Sequence, residues 1–147
     1  MVEVQGNLYT NEEVEKYDYI GFTANSVVKS NGELVMGKGA ALAFKKFFTY
    51  IDVAKVFGHK VSQYKGKDFY IVVEGNLFAF QTKRHYRDRT PIDLLVRSTA
   101  LLRASALKYP DKKFALPYPA IGYGGLPKSQ VSEIVKHLPD NVFLHTL

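Results

Sequence analysis

A chain of 147 residues with no cysteine has room for one ordinary hydrophobic core and none for disulfides, thiolate metal sites or a cysteine nucleophile. Its 46% hydrophobic and 23% charged residues describe a soluble globular protein, and Met1–Gln5 shows neither a basic nor an apolar leader; a cytoplasmic location with no membrane partner is expected. The charge of +6, from 20 Lys and Arg against 14 Asp and Glu, favours anionic partners such as nucleotides or nucleic acid, although a basic surface also serves solubility.

Tyr17–Thr23 alternates among strand formers and predicts a buried strand that delivers Asn25 to the end of a sheet. A loop over residues 27–36 follows. Ala40, Ala41, Leu42, Phe44, Phe47 and Phe48 then mark a helix from Gly39 to Phe48, with a second short helix over Val53–His59. Phe69–Val73 and Leu77–Gln81, parted by Glu74-Gly75-Asn76, predict a β-hairpin. Thr90 as N-cap with Pro91 at the first helical position opens a long helix that stops before Pro110. Phe114–Leu116 reads as a strand, Pro127–Leu138 as a helix and Val142–His145 as a last strand. Strands alternating with helices and one hairpin predict an α/β layered domain with a mixed sheet.

Two glycine loops stand far apart in this pattern, Met36-Gly37-Lys38-Gly39-Ala40 and Ile121-Gly122-Tyr123-Gly124-Gly125, each before a helix. Glycine admits close backbone approach, and a helix N-terminus offers free N–H groups to anions, so two such loops can clamp a diphosphate from both sides. Gly32 to Gly39 nearly spells a P-loop, but Gly39 stands where Ser or Thr would hold magnesium and no strand leads directly into it. Gly37-Lys38-Gly39-Ala40-Ala41-Leu42 imitates the dinucleotide fingerprint, with Leu42 where a small residue is needed and no acid near Phe57 or Gly58. The four histidines lack metal-ligand spacing, no serine sits in a G-x-S-x-G elbow, and no metal or other cofactor is implied.

Gly6-Asn7-Leu8, Asn25, the two glycine loops and the run Thr82-Lys83-Arg84-His85-Tyr86-Arg87 together resemble a macrodomain, over essentially the whole chain. The resemblance implies a single domain over residues 1–147, a three-layer α/β/α sandwich with a mixed central sheet that takes ADP-ribose or an ADP-ribosylated macromolecule. Phe80 to Arg87, with Leu116-Pro117, Pro119, Gly122, Gly124 and the closing Thr146-Leu147, is similar to the branch containing terminal ADP-ribose protein glycohydrolase and the DarG-type DNA ADP-ribosyl glycohydrolase.

Carried over, the resemblance implies that Asn25 holds the distal ribose; the residue alone reads equally as an Asx-turn ending a strand. Gly37, Lys38, Gly39 and Ala40 would form the first phosphate loop, and Ile121, Gly122, Tyr123, Gly124 and Gly125 the second, with Tyr123 over the ribose or merely packed on its own loop. Lys83 would act at the anomeric carbon, its amine made easier to deprotonate by Arg84, His85 and Arg87, against the plain alternative of a solvated basic face. Arg84, Tyr86, Arg87 and Arg89 could hold a nucleic-acid strand. Two departures stand out. Asn7, beside Leu8, replaces the usual adenine-binding aspartate, and the second loop lacks the acid some members carry, which leaves Asp88 nearest Lys83 in sequence. Besides a glycohydrolase, the pattern admits an ADP-ribose reader, a phosphatase for ADP-ribose 1″-phosphate and a nucleic-acid-binding module.

Overall fold

The computed structural model describes all residues, 1–147. Strands β1 (Val2–Gln5), β2 (Tyr19–Ala24), β3 (Ile71–Glu74), β4 (Leu77–Gln81), β5 (Phe114–Pro117) and β6 (Val142–Thr146) form one sheet in the order β1-β6-β5-β2-β4-β3. All neighbours are parallel except the β3–β4 hairpin. Helices α1 (Asn11–Val14), α2 (Gly39–Phe47), α3 (Val53–Ser62), α4 (Ile92–Lys108) and α5 (Lys128–Val135) make the connections. No helix is long and apolar enough to cross a membrane.

The strand period of two sorts side chains between the faces. Leu77 and Ala79 of β4 join a core with Phe22, Phe44 and Phe57 beneath α2 and α3, whereas Phe78 and Phe80 join a second core with Leu95, Leu102 and Val131 beneath α4 and α5. Helices therefore cover both faces, giving the three-layer α/β/α sandwich with a mixed sheet. β2 and β5 pair only at Tyr19–Phe114 and Ile20–Ala115. Beyond those residues their carboxyl halves part, at the point where crossovers leave to opposite faces; in parallel α/β sheets this is where a crevice opens.

Helix α3 approaches the loop before α2 backbone to backbone. The Leu34 N–H donates to the Ala54 carbonyl at 2.9 Å, and a β-carbon on Gly58 would collide with the Gly32 carbonyl and lie 2.7 Å from Leu34 N. Gly58→Ala is therefore expected to cost about 1–3 kcal/mol by overpacking, read as a melting temperature lowered by several degrees.

Several elements differ from the sequence expectation, each for a physical reason. β1 and α1 carry too few residues to show a period. β3 begins at Ile71 rather than Phe69, because the Phe69 and Tyr70 N–H groups donate to the Gln81 carboxamide (2.8 and 3.0 Å) and Tyr70 turns to φ +59°. Thr90 is not the N-cap of α4. Pro91 is extended before Ile92, while the Thr90 N–H donates to the Gly124 carbonyl at 2.9 Å. Pro127 precedes α5, which ends at Val135 rather than Leu138.

Candidate functional site

A cavity of about 1150 Å³ opens at the carboxyl ends of the parallel strands. Asn7 and Leu8 follow β1, Thr146 ends β6 with Leu147 after it, Tyr118 and Ala120 follow β5, Asn25 follows β2, and Thr82 and Lys83 follow β4. The wall thus runs along the sheet from β1 and β6 at one end to β4 at the other. No aspartate or glutamate lines it, whereas Lys38, Lys83 and Arg87 do, so the cavity suits an elongated anion.

Midway stand the two glycine loops. Lys38 is the N-cap of α2 and its side chain makes no cap hydrogen bond, so the N–H groups of Gly39, Ala40 and Ala41 find no acceptor within the chain. Free donors at the positive end of a helix dipole form an anion site without a metal. In the second loop the N–H groups of Gly122, Tyr123 and Gly124 are likewise unpaired, while the Gly125 and Leu126 N–H groups close it onto the Gly122 and Ala120 carbonyls at 3.1 and 3.0 Å. The loops touch across the mouth. Gly39 has φ +60°, and a β-carbon there would sit 3.0 Å from the Tyr123 ring, over which Lys38 Nζ lies 5.8 Å from the centroid.

The glycines of the second loop divide the work differently from their sequence appearance. Gly124 is buried, and a β-carbon on it would meet Ala120 Cα and carbonyl at 2.5 Å and Thr90 Oγ1 at 2.6 Å. It is a packing glycine. Gly122 and Gly37 face open space and are the positions where a ligand backbone contact is unobstructed.

Lys83 reaches the cavity half-buried, with Nζ donating to the Tyr86 carbonyl at 3.2 Å. Its pKa is lowered from the ordinary lysine value, chiefly by burial and further by Lys38, with Asp88 opposing. The expected neighbours are not the cause. Arg84 is held by Asp68 and Asp93, each at 2.9 Å, and these hydrogen bonds raise its own pKa further. Asn25, 9% exposed, accepts the Val27 N–H at 2.9 Å and donates to the Val35 carbonyl at 3.0 Å. It is an Asx-turn residue whose second amide hydrogen remains free beside the cavity.

At the β1/β6 end, Asn7 Oδ1 accepts the Tyr9 N–H at 3.1 Å, and Leu8 is buried. Tyr9 packs against Phe44, Phe47 and Phe48 and donates to the Gly21 carbonyl at 2.8 Å. His145 is buried on Tyr17 (Nε2 to hydroxyl, 2.8 Å), and burial lowers its pKa, favouring the neutral ring.

The structure therefore gathers Asn7, Leu8, Asn25, Gly37, Lys38, Gly39, Ala40, Lys83, Tyr86, Arg87, Ile121, Gly122, Tyr123 and Gly124 around one cavity. Gly125, Arg84 and Arg89 lie outside its wall: Arg89 donates to the Gly125 carbonyl at 2.8 Å and braces the second loop from behind. Tyr118 and His145 were missed as cavity residues. Their position at the carboxyl ends of parallel strands was the available signal.

This architecture is the macrodomain fold. No family model and no curated protein matches the chain, but solved structures do. The macrodomain of Thermus aquaticus DarG superposes with a TM-score of 0.74 at 25% identity, covering 98% of this chain and 95% of that one. The macrodomain of Mycobacterium tuberculosis DarG gives 0.71 at 21% identity over 100% and 98%. Thermosipho africanus DarTG in complex with ADP-ribose gives 0.70 at 22% identity over 99% of this chain and 41% of that one.

Proposed function

We propose that residues 1–147 form a single macrodomain of the DarG-like branch that binds ADP-ribose and releases it from a macromolecule. One observation carries the reading: a single cavity without Asp or Glu side chains has unpaired N–H groups of two glycine loops at its middle and a half-buried lysine with a lowered pKa at one end. The diphosphate lies between the loops, the distal ribose beside Lys83 and Asn25, and the adenine beside Asn7, Leu8 and Leu147. The free amide hydrogen of Asn25 donates to a ribose hydroxyl.

In the reaction, the neutral Lys83 amine attacks the anomeric carbon. A carbon–nitrogen bond forms while the bond to the macromolecule breaks, its electron pair leaving with the departing atom, which takes up the proton released by the amine. Water then hydrolyses the lysine–sugar adduct, freeing ADP-ribose and restoring the amine. With no Asp or Glu side chain in the wall, Asp88, whose charge acts on Lys83, exchanges protons with the adduct. The macromolecule is a nucleic acid: Tyr86 is 40% exposed at the rim with Arg87 5.7 Å from its ring centroid, a pairing suited to base stacking and phosphate contact.

The test is calorimetry with ADP-ribose, with AMP and ribose 5-phosphate as half-ligand controls, followed by release assays on ADP-ribosylated oligonucleotide and peptide. Saturable binding that needs both halves, with turnover of the oligonucleotide, is expected. Binding without turnover of either substrate would favour a reader, the alternative supported by a wall without Asp or Glu side chains. Asn7→Asp supplies a charged acceptor for the adenine amino group and is expected to tighten ADP-ribose about fivefold, roughly 1 kcal/mol; ribose 5-phosphate affinity should not change in the same titrations.

A further inference from the structure

The last residue of β4 is a glutamine with no exposed surface, at a position where an apolar side chain would fill the same volume. Burying a carboxamide is costly unless every polar group is paired, and here all are. Gln81 Oε1 accepts from Phe69 and Tyr70 N–H groups at 2.8 and 3.0 Å, and Nε2 donates to Asp68 Oδ1 at 3.1 Å and to the Lys83 carbonyl at 3.2 Å. Its own carbonyl accepts from Ser98 Oγ of α4 at 2.7 Å.

We propose that Gln81 is the positioning residue for Lys83, fixing the carbonyl of that lysine directly and the residue after it through Asp68. The proposal rests on the reading that Lys83 is the reacting amine.

The backbone around Lys83 is held on every side. The Thr82 and Lys83 N–H groups share the Ala24 carbonyl at the end of β2 (2.9 and 3.3 Å), and the Arg84 carbonyl accepts from Ser26 Oγ at 2.8 Å. The Arg84 side chain grips both oxygens of the same Asp68 that Gln81 holds, and then Asp93 at the start of α4. Gln81 also supports the positive φ of Tyr70, a non-glycine conformation that persists only where its surroundings impose it. One carboxamide thus joins the hairpin, α4 and the segment carrying the amine. With its backbone fixed, Lys83 enters the half-buried position facing Lys38 and Asp88 instead of swinging into water.

The experiment measures Lys83 acetylation by acetic anhydride, site by site with mass spectrometry, across pH. Gln81→Glu keeps the acceptor for Phe69 and Tyr70 but loses the donor to Lys83; Gln81→Met loses the donors without adding charge. In both variants the Lys83 midpoint is expected to rise toward that of exposed lysines, so that labelling below the midpoint falls severalfold. Release of ADP-ribose should lose kcat about tenfold with KM unchanged. If neither variant folds, Asp68→Asn, on the exposed side of the network, decides by the same labelling curve. An unmoved Lys83 midpoint in the folded variants, or a shift with Glu but not with Met, overturns the proposal. Should the wild-type protein release no ADP-ribose, the labelling still decides the role of Gln81, and the hydrolase reading fails alone.

Discussion

Replacing Lys83 by alanine is expected to reduce ADP-ribose release to the level set by binding and orientation alone, a loss on the order of a thousandfold or more, while calorimetric affinity for ADP-ribose stays within a few fold. In the proposed binding mode the diphosphate would be held by the unpaired backbone N–H groups of two loops to which Lys83 contributes no structure, so binding should survive. Lys83→Arg preserves charge and much of the bulk but not the nucleophile, and should be equally inactive. The pH dependence follows from the direction of the shift. Burial disfavours the ammonium form, so the neutral amine becomes abundant at lower pH than for an ordinary lysine. The wild-type rate should rise with pH through a midpoint below the usual lysine range. A substantial rate in either variant would remove Lys83 from the chemistry.

The second large effect is expected at Gly37. Nothing lies within 4 Å of where its β-carbon would be, and its φ is not positive. Valine there should leave the fold untouched and put two methyl groups into the cavity where the proposed binding mode would seat the diphosphate. ADP-ribose affinity should fall on the order of a hundredfold, about 2.7 kcal/mol, with the melting temperature unchanged. Gly124→Val should act the other way round. Its side chain would meet the Ala120 backbone and Thr90, so thermal stability falls first and ligand binding follows because the loop is disrupted. Calorimetry and thermal denaturation on the same two variants separate a glycine that faces ligand from one that faces its own chain. Equal melting temperatures for both would refute that division.

Much of the layered fold was legible because its long elements advertise their period. The apolar stripe of α2 and the Leu77–Gln81 strand lie where the pattern put them. The short elements were not legible: four residues of β1, mostly exposed, carry no alternation that a loop would lack. The shift of β3 and the lost cap at Thr90 have a different origin. In both, backbone that local rules assign to its own element is held by a distant partner: Gln81 takes the Phe69 and Tyr70 amides, and Gly124 takes the Thr90 amide while the Thr90 hydroxyl, the group that would cap, has no partner.

The same limit applied to the site. Glycine spacing marked two loops that lie on one cavity, since unpaired backbone at the start of α2 and in the loop ahead of α5 is a local property. The role of each cation was not local. Arg84 and Arg89 look like Arg87 in the sequence, but Asp68, remote in the chain, claims the first and the Gly125 carbonyl the second. Only Arg87 of the three lines the cavity. A run of basic residues gives the charge, while pairing across the fold decides which members are free to meet a ligand.

The contact between Tyr123 and Gly39 also makes the protein its own optical reporter. The chain has ten tyrosines and no tryptophan, so no indole drains or masks phenol emission. Tyr123, 68% exposed at the cavity mouth beneath the Lys38 ammonium, changes its surroundings whenever an anion passes between the loops. Tyrosine fluorescence and near-ultraviolet difference spectra of the unlabelled protein should therefore follow occupancy directly, and Tyr123→Phe should diminish the signal without emptying the cavity, the remainder coming from Tyr9, Tyr86 and Tyr118 of the same wall.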